Sequence, residues 1–248
     1  MKAIFKNDNN VEIILPEHEK SAEFSNRDNH EVLFRRICTW LINSKLIDGN
    51  IIDLGAWMGD NAIPWAKNIS NTVYAIDPSP NNCDFIRIVC ELNNIGNISI
   101  IQTAISDKIE VLTTYENIDH CSFLNEGDTK VFAVTLNELH SQDLIKDVGF
   151  VHLDVEDMEF KVLNGMTTII DKYHPIITYE QHIYKNTISE IADFLKARNY
   201  NVYLINETLP NCNPDCRNFI SFPNEPKYKT VIKDMSKYFN LNGLFTQF

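Results

Sequence analysis

The chain has 248 residues, 44% of them hydrophobic, and a formal net charge of -12 from 34 acidic against 22 basic side chains. Such a length and apolar content suit one α/β core with additions, and the acidic balance argues against the clustered Lys and Arg of a nucleic-acid groove. No apolar run reaches the ~18 residues of a membrane span and Met1–Asn10 lacks a basic-then-apolar leader pattern, so the expectation is a soluble protein of the cytoplasm with neither nucleic-acid nor membrane partners.

Ala3–Phe5 and Val11–Leu15 flank a polar stretch and predict a β-hairpin. Asp28 or Asn29 is placed to cap a helix whose apolar residues Val32, Leu33, Ile37, Trp40 and Leu41 recur at helical spacing. Residues 1–48 thus form a cover laid before the main sheet. At Ile51–Leu54 a short apolar strand carries Asp53 and runs into Gly55 and Gly59. A helical pattern follows from Asn61 to Lys67. Glycines there allow a tight turn and let a ligand approach the backbone. The next strand, Thr72–Ile76, ends on Asp77, and a doubly wound sheet holds ribose hydroxyls with an acid at that place. Ser79 with Pro80 behind it is a helix start signal.

Further strands are predicted at Ile98–Gln102, Phe150–Val155, Ile176–Tyr179 and Asn201–Leu204, with short β pieces at Val111–Tyr115 and Val131–Val134. After the strand at Phe150, a helix offers Phe160, Leu163 and Met166 for packing. Thr187 with Glu190 makes a capping box, and Phe219–Phe222 reads as a late antiparallel strand. Strand and helix in alternation imply a Rossmann-like, doubly wound, mostly parallel sheet, with the amino-terminal hairpin and helix in front. The division expected is one domain over residues 1–248: cover, core at 49–223, and a Lys-rich tail at 224–248. Apolar residues in that tail would dock on the body or on a partner, which leaves a homo-oligomer open.

The six cysteines, Cys38, Cys83, Cys90, Cys121, Cys212 and Cys216, show no disulfide framework and are read as reduced thiols. Cys212 and Cys216 could form half a zinc site, but no second pair completes it.

The glycine loop reads acid-x-Gly-x-x-x-Gly, with Asn61 and Ala62 where a dinucleotide fold wants its third glycine. Asp60 beside the helix start would repel a pyrophosphate. An adenosine-type cofactor of the methionine kind fits better than a dinucleotide. Asp53, Asp77, Asp154, Glu180 and His182 all fall at carboxyl ends of predicted strands, where open parallel sheets gather their ligands.

Three stretches carry a resemblance: Asp53–Gly59, Asp154–Glu159 and Pro175–His182. They are similar to the FkbM-type family of S-adenosylmethionine-dependent methyltransferases, over about Glu31 to Tyr203. The sequence departs at Trp57, where the family has Asn, and at Asp157, where it has Gly. The resemblance implies a class I methyltransferase fold. It implies that Asp53, Gly55, Ala56 and Gly59 surround the methionine portion of S-adenosylmethionine, that Asp77 takes the ribose hydroxyls, and that Ala104 and Ile105 lie beside the adenine. His182 is the first choice of general base, with Asp154 and Glu156 as rivals and Glu180 beside them. Glu156 alternatively serves as a helix amino-terminal carboxylate, and Glu159 is expected to pack or pair.

Asp154 and Glu180, with His182 or Gln181 near, could take one Mg²⁺. The resemblance requires no metal, and none is favoured. The expected reaction is methyl transfer to a hydroxyl of a sugar, glycan or similar small polar acceptor; Trp57, Phe123, Tyr179 and Tyr184 are candidates to stack on a pyranose, with a core role preferred for each. Two alternatives are a nicotinamide-dependent oxidoreductase and a cofactor-binding scaffold without catalysis.

Overall fold

The computed structural model describes residues 3–6, 11–26, 31–114, 127–182, 188–207, 216–241 and 243–248, with Ala3, His182, Ile188 and Cys216 described in backbone only. The chain opens with strands β1 (Ala3–Lys6) and β2 (Glu12–Leu15), paired antiparallel as the hairpin pattern predicts. Helix α1 (Glu19–Asn26) follows, then α2 (Val32–Asn43). Helix α1 went unread because its apolar spacing is weak. Asp28 and Asn29 lie outside the described residues, and Glu31 occupies the cap position of α2 in a left-handed conformation, φ 51°.

The core begins with β3 (Asn50–Leu54), α3 (Ala62–Asn68), β4 (Val73–Asp77), α4 (Pro80–Asn93) and β5 (Ile98–Gln102). The Ser79–Pro80 signal holds: the Ser79 hydroxyl accepts the Asn82 N–H at 3.1 Å, with proline in the first turn. Strands β6 (Ala104–Ile105), β7 (Glu110–Thr114) and β8 (Thr129–Val134) form a small separate sheet in the order β6-β8-β7. Helix α5 (Leu136–Ser141) leads to β9 (Val148–Leu153), after which the expected single helix is two, α6 (Glu159–Asn164) and α7 (Thr167–Tyr173). Then come β10 (Ile176–His182), α8 (Ile188–Lys196), β11 (Tyr200–Ile205), β12 (Cys216–Pro223), α9 (Val231–Phe239) and β13 (Phe245–Gln247). Thr187, the expected cap of α8, lies outside the described residues.

The large sheet has the order β13-β11-β12-β10-β9-β3-β4-β5. Strands β10, β9, β3, β4 and β5 run parallel, whereas β12 enters antiparallel between β10 and β11. Strand order reverses at β3, with β4 on one side and β9 on the other. That is the switch point where such sheets bind ligands beyond their carboxyl ends. The tail docks on the sheet: β13 extends its edge along β11.

Side-chain alternation sorts the sheet's two faces. Ile51 and Phe150 pack with Phe34, Ile37, Leu41, Ile63 and Trp65 under α2 and α3. Ile52, Leu54 and Val151 pack on the opposite face with Val162, Leu163, Ile191 and Leu195. Each core is continuous and buried on both faces, as near-continuous apolar strands demand. Cys38, Cys83 and Cys90 are buried free thiols; Cys121, Cys212 and the side chain of Cys216 lie outside the described residues. Among the described residues no helix is long and apolar enough to cross a membrane.

Candidate active site

Asp53 stands near the end of β3 with 1% of its surface exposed, on the same face as α2 and α3. Burial pushes its carboxyl well above the usual carboxylate range, and the Asp60 carboxylate pushes it further. The Ala62 N–H pulls it down, Asp77 raises it again, and the Arg35 guanidinium opposes that last effect. Within that carboxyl, Oδ2 is buried without a hydrogen-bond partner.

The loop after Asp53 is held by backbone. Gly55 and Ala56 donate their N–H groups to the Ile76 carbonyl at 3.0 and 3.1 Å, and Gly59 donates to Ala56 at 2.6 Å. Gly55 has φ 72°, and a Cβ there would meet the Asp154 carbonyl oxygen at 1.8 Å, so the position admits only glycine. Gly59 turns at φ 80° against Ile63. Trp57 takes φ 45° between them, a left-handed conformation that asparagine enters at low cost and tryptophan does not. Its N–H donates to Asp77 Oδ2 at 2.8 Å, which fixes the loop to the tip of β4.

Asp77 is the hub of that tip. Besides Trp57 it accepts the Ser79 N–H at 2.9 Å and the Asn82 side-chain amide at 3.1 Å, both on Oδ1. Three donors from the loop and from the start of α4 thus hold this carboxylate rigid at the tip of β4. Ala104 and Ile105, in β6, are buried beside Ile76 and Leu54 on the far face of the sheet.

Asp60 departs from expectation. Rather than standing as a repelling charge, it pairs with Arg35 of α2, Nη2 to Oδ2 at 2.5 Å, with both side chains under a tenth exposed. The argument that Asp60 repels a pyrophosphate therefore fails, because its charge is compensated within the protein. Asn61 beside it caps nothing with its side chain, and its Oδ1 is buried without a partner.

On the other side of β3, register brings two expected residues together. Leu153 pairs with Leu54 and with Tyr179, so Asp154, just past the end of β9, and Glu180, within β10, come to neighbouring places, both half-buried. Asp154 donates its N–H to the Leu54 carbonyl at 3.0 Å, which abuts this pair on the glycine loop. Glu156 and Asp157 follow, exposed and both left-handed at φ 49° and 73°. Asp157 thus takes the conformation that a glycine enters freely; consecutive left-handed non-glycine residues are strain of the kind that gathers at functional sites.

One expectation is corrected here. Glu156 is not a helix amino-terminal carboxylate, since α6 starts only at Glu159. Glu159 takes that place instead, accepts the Val155 N–H at 3.3 Å, and is pushed up to about 7 by its burial. Tyr179 takes the core role that the sequence favours for it: it is fully buried and stacked on Phe219 at 5.0 Å, because both faces of β10 are covered. Trp57 is half-buried against the core under α2 and α3, while Phe123 and Tyr184 lie outside the described residues. So does the His182 side chain, although β10 carries its backbone to the same rim. Among the described residues no group of three or more His, Cys, Asp or Glu is placed to hold a metal ion.

Several residues that border the site carried no local signal. Glu207 accepts the N–H groups of Leu33 and Phe34 at the start of α2, and Glu31 accepts the Asn218 amide at 2.8 Å. His152 lies in register with Asp53 and with Thr178, whose hydroxyl is 3.0 Å from its Nδ1. Phe34 and Trp65 pack on the imidazole at 4.8 and 5.8 Å between ring centres. This polar row, Asp53–His152–Thr178, runs beneath α2 in an otherwise apolar layer. Only long-range pairing assembles it.

The described residues fit an adenosine-type cofactor with an amino-acid end: rigid acceptors at Asp77, a glycine turn at Gly55, and buried orphaned acceptors at Asp53 and Asn61. A family model described as the methyltransferase FkbM domain matches residues 53–202, well over half of the chain. Among solved structures, the FkbM methyltransferase of Methylobacillus flagellatus superposes with a TM-score of 0.51 at 17% identity, covering 71% of this chain and 44% of that one. The present chain thus spans less than half the length of that relative. Precorrin-6y C5,15-methyltransferase of Geobacter metallireducens gives a TM-score of 0.47 at 14% identity over 76% of this chain and 86% of that one. TYW2 of M. jannaschii, in complex with AdoMet, gives 0.46 at 15% identity over 89% and 84%. No curated protein matches in sequence. The family model, the strand order and the glycine loop between Asp53 and Asp77 agree: the chain belongs to the FkbM family of S-adenosylmethionine-dependent methyltransferases.

Proposed function

We propose that the protein methylates a hydroxyl of a sugar, glycan or similar small polar acceptor. The observation that carries this reading is the register of Leu153 with both Leu54 and Tyr179, which brings Asp154 and Glu180, each one residue further on, to neighbouring places beside the glycine loop. Bound S-adenosylmethionine supplies a methyl group on a positively charged sulfur. Asp77 and the turn at Gly55 hold the nucleoside and methionine halves. Asp154 and Glu180 accept hydrogen bonds from acceptor hydroxyls and set one oxygen about 3 Å from the methyl carbon, in line with the bond that breaks.

In the transfer an oxygen–carbon bond forms, the carbon–sulfur bond breaks toward sulfur, and the hydroxyl proton leaves to a base. His182 is the base on this reading, because an imidazole titrates near neutrality and β10 ends at the same rim. The reaction needs no metal, and loss of activity on exhaustive EDTA treatment would contradict that statement. The acidic rim also suits a cationic donor, since carboxylates in a partly buried site favour positive charge.

The experiment is transfer of labelled methyl groups from S-adenosylmethionine to a panel of glycans and glycosylated small molecules. Label should appear on hydroxyl oxygen, fall by ~10²–10⁴-fold in His182→Ala as a lost general base requires, and fall in Asp154→Asn. Binding of the donor with no transfer to any hydroxyl acceptor would favour a scaffold. Retention of NAD in place of the donor would favour an oxidoreductase.

A further inference from the structure

Among the described residues, Asp53 Oδ2, Asn61 Oδ1 and Arg35 Nε, all around the glycine loop, are buried without a hydrogen-bond partner. Each belongs to a side chain at least nine-tenths buried, with exposures of 1%, 5% and 7%. A buried polar atom left without a partner is costly, so several of them around one loop point to a ligand. They are linked through consecutive residues: Asp60 holds Arg35, Asn61 carries one orphan, and the Ala62 N–H meets the Asp53 carboxyl. Two of the atoms accept hydrogen bonds, and the third donates.

That set is complementary to a zwitterion. An α-ammonium offers donors to two acceptors, and a carboxylate accepts from a guanidinium edge. We propose that Arg35, oriented by Asp60, is the receptor for the carboxylate of the cofactor's amino-acid end, and that Asn61 joins Asp53 in receiving its ammonium. The assignment rests on the S-adenosylmethionine reading above. It adds α2, a helix upstream of the family-matched residues, to the binding machinery, and it makes the site select for ligands that keep the free amino acid.

Arg35 is suited to the task. Its Nη2 is already committed to Asp60, so the guanidinium plane is set before a ligand arrives and little rotamer freedom is lost on binding. Its neighbours Asp53, Asp60 and Glu207 are all acidic. An ammonium finds acceptors among them, and a carboxylate has the Nε edge of Arg35 that Asp60 leaves unbonded.

The test compares S-adenosylhomocysteine with 5′-methylthioadenosine, which keeps the nucleoside and lacks the amino acid. Affinities are measured by calorimetry on the full chain, for the native protein, for Asn61→Leu, and for Arg35→Met combined with Asp60→Asn, which removes both charges of the pair together. Each variant should lose affinity for S-adenosylhomocysteine by roughly 10–100-fold, the range for a lost charge-assisted hydrogen bond, and change for methylthioadenosine by less than about 3-fold. Retained methylthioadenosine binding also reports an intact fold. Should the double variant fail to fold, Asn61→Leu, which leaves the ion pair in place, decides. Equal losses for both ligands, or no loss for either, would overturn the assignment. A native protein that binds neither ligand would instead remove the cofactor reading on which it rests.

Discussion

The carboxylate of Glu207 caps the start of α2 beside Phe34 from 173 residues downstream: Oε2 accepts the Phe34 N–H at 3.0 Å, while Oε1 takes the Leu33 N–H at 2.7 Å. The end of β11 thereby fixes the helix that brings Arg35 to the glycine loop. Capping groups are worth about 1–2 kcal/mol, so Glu207→Ala should lower stability by that amount in urea unfolding. It should also weaken S-adenosylhomocysteine binding through the displaced Arg35. A variant with unchanged midpoint and affinity would show that the cap carries nothing.

Two glycines make a matched pair. Gly55→Ala places a Cβ 1.8 Å from the Asp154 carbonyl at φ 72°, whereas Gly96 has nothing within 4 Å of its Cβ direction. Gly55→Ala should therefore destabilise by more than about 2 kcal/mol, while Gly96→Ala stays neutral or gains up to about 1 kcal/mol. Thermal unfolding of both separates them.

Glu159 gives a pH dependence of defined sign. Its carboxyl is pushed from 4.5 up to about 7 by burial, so the folded chain binds its proton more tightly than the unfolded chain. Stability from this group is fully present below pH 4.5, falls as pH rises toward 7, and levels off above. The full span is worth roughly 3 kcal/mol. Glu159→Gln should remove that slope, making the variant more stable than the native protein at pH 8 and no more stable at pH 4. Parallel stability curves for the two proteins would contradict this.

Asp53 links binding to protons. Burial, then the Asp60 carboxylate and, less strongly, Asp77 hold its carboxyl up, against the Ala62 N–H and Arg35. An ammonium arriving at Oδ2 favours the ionised form and draws the value down, so a proton leaves on binding. Affinity for S-adenosylhomocysteine should rise with pH, and the calorimetric heat should vary between buffers of different ionisation enthalpy. Identical heats in two such buffers would show that Asp53 does not change state.

The sequence was legible wherever the cause is local. Apolar strands running into Asp53 and Asp77, the Ser79–Pro80 start, and alternation of strand and helix led to the parallel sheet and the rim at its carboxyl ends, since each depends on neighbouring residues. The Arg35–Asp60 pair, the Glu207 cap and the Asp53–His152–Thr178 row were not legible. Their partners meet only through the register of β3, β9 and β10 and the docking of α2. Tyr179 reads as core before platform, and the cover on both faces of β10 makes it so. Glu156 misled because two left-handed residues delay α6 until Glu159, and neither is a glycine.

The most direct measurement is titration of the full, folded chain with S-adenosylhomocysteine by calorimetry. One site per chain should bind it and give way competitively to S-adenosylmethionine. Well-folded protein that gives no heat with either compound would contradict the account at its root.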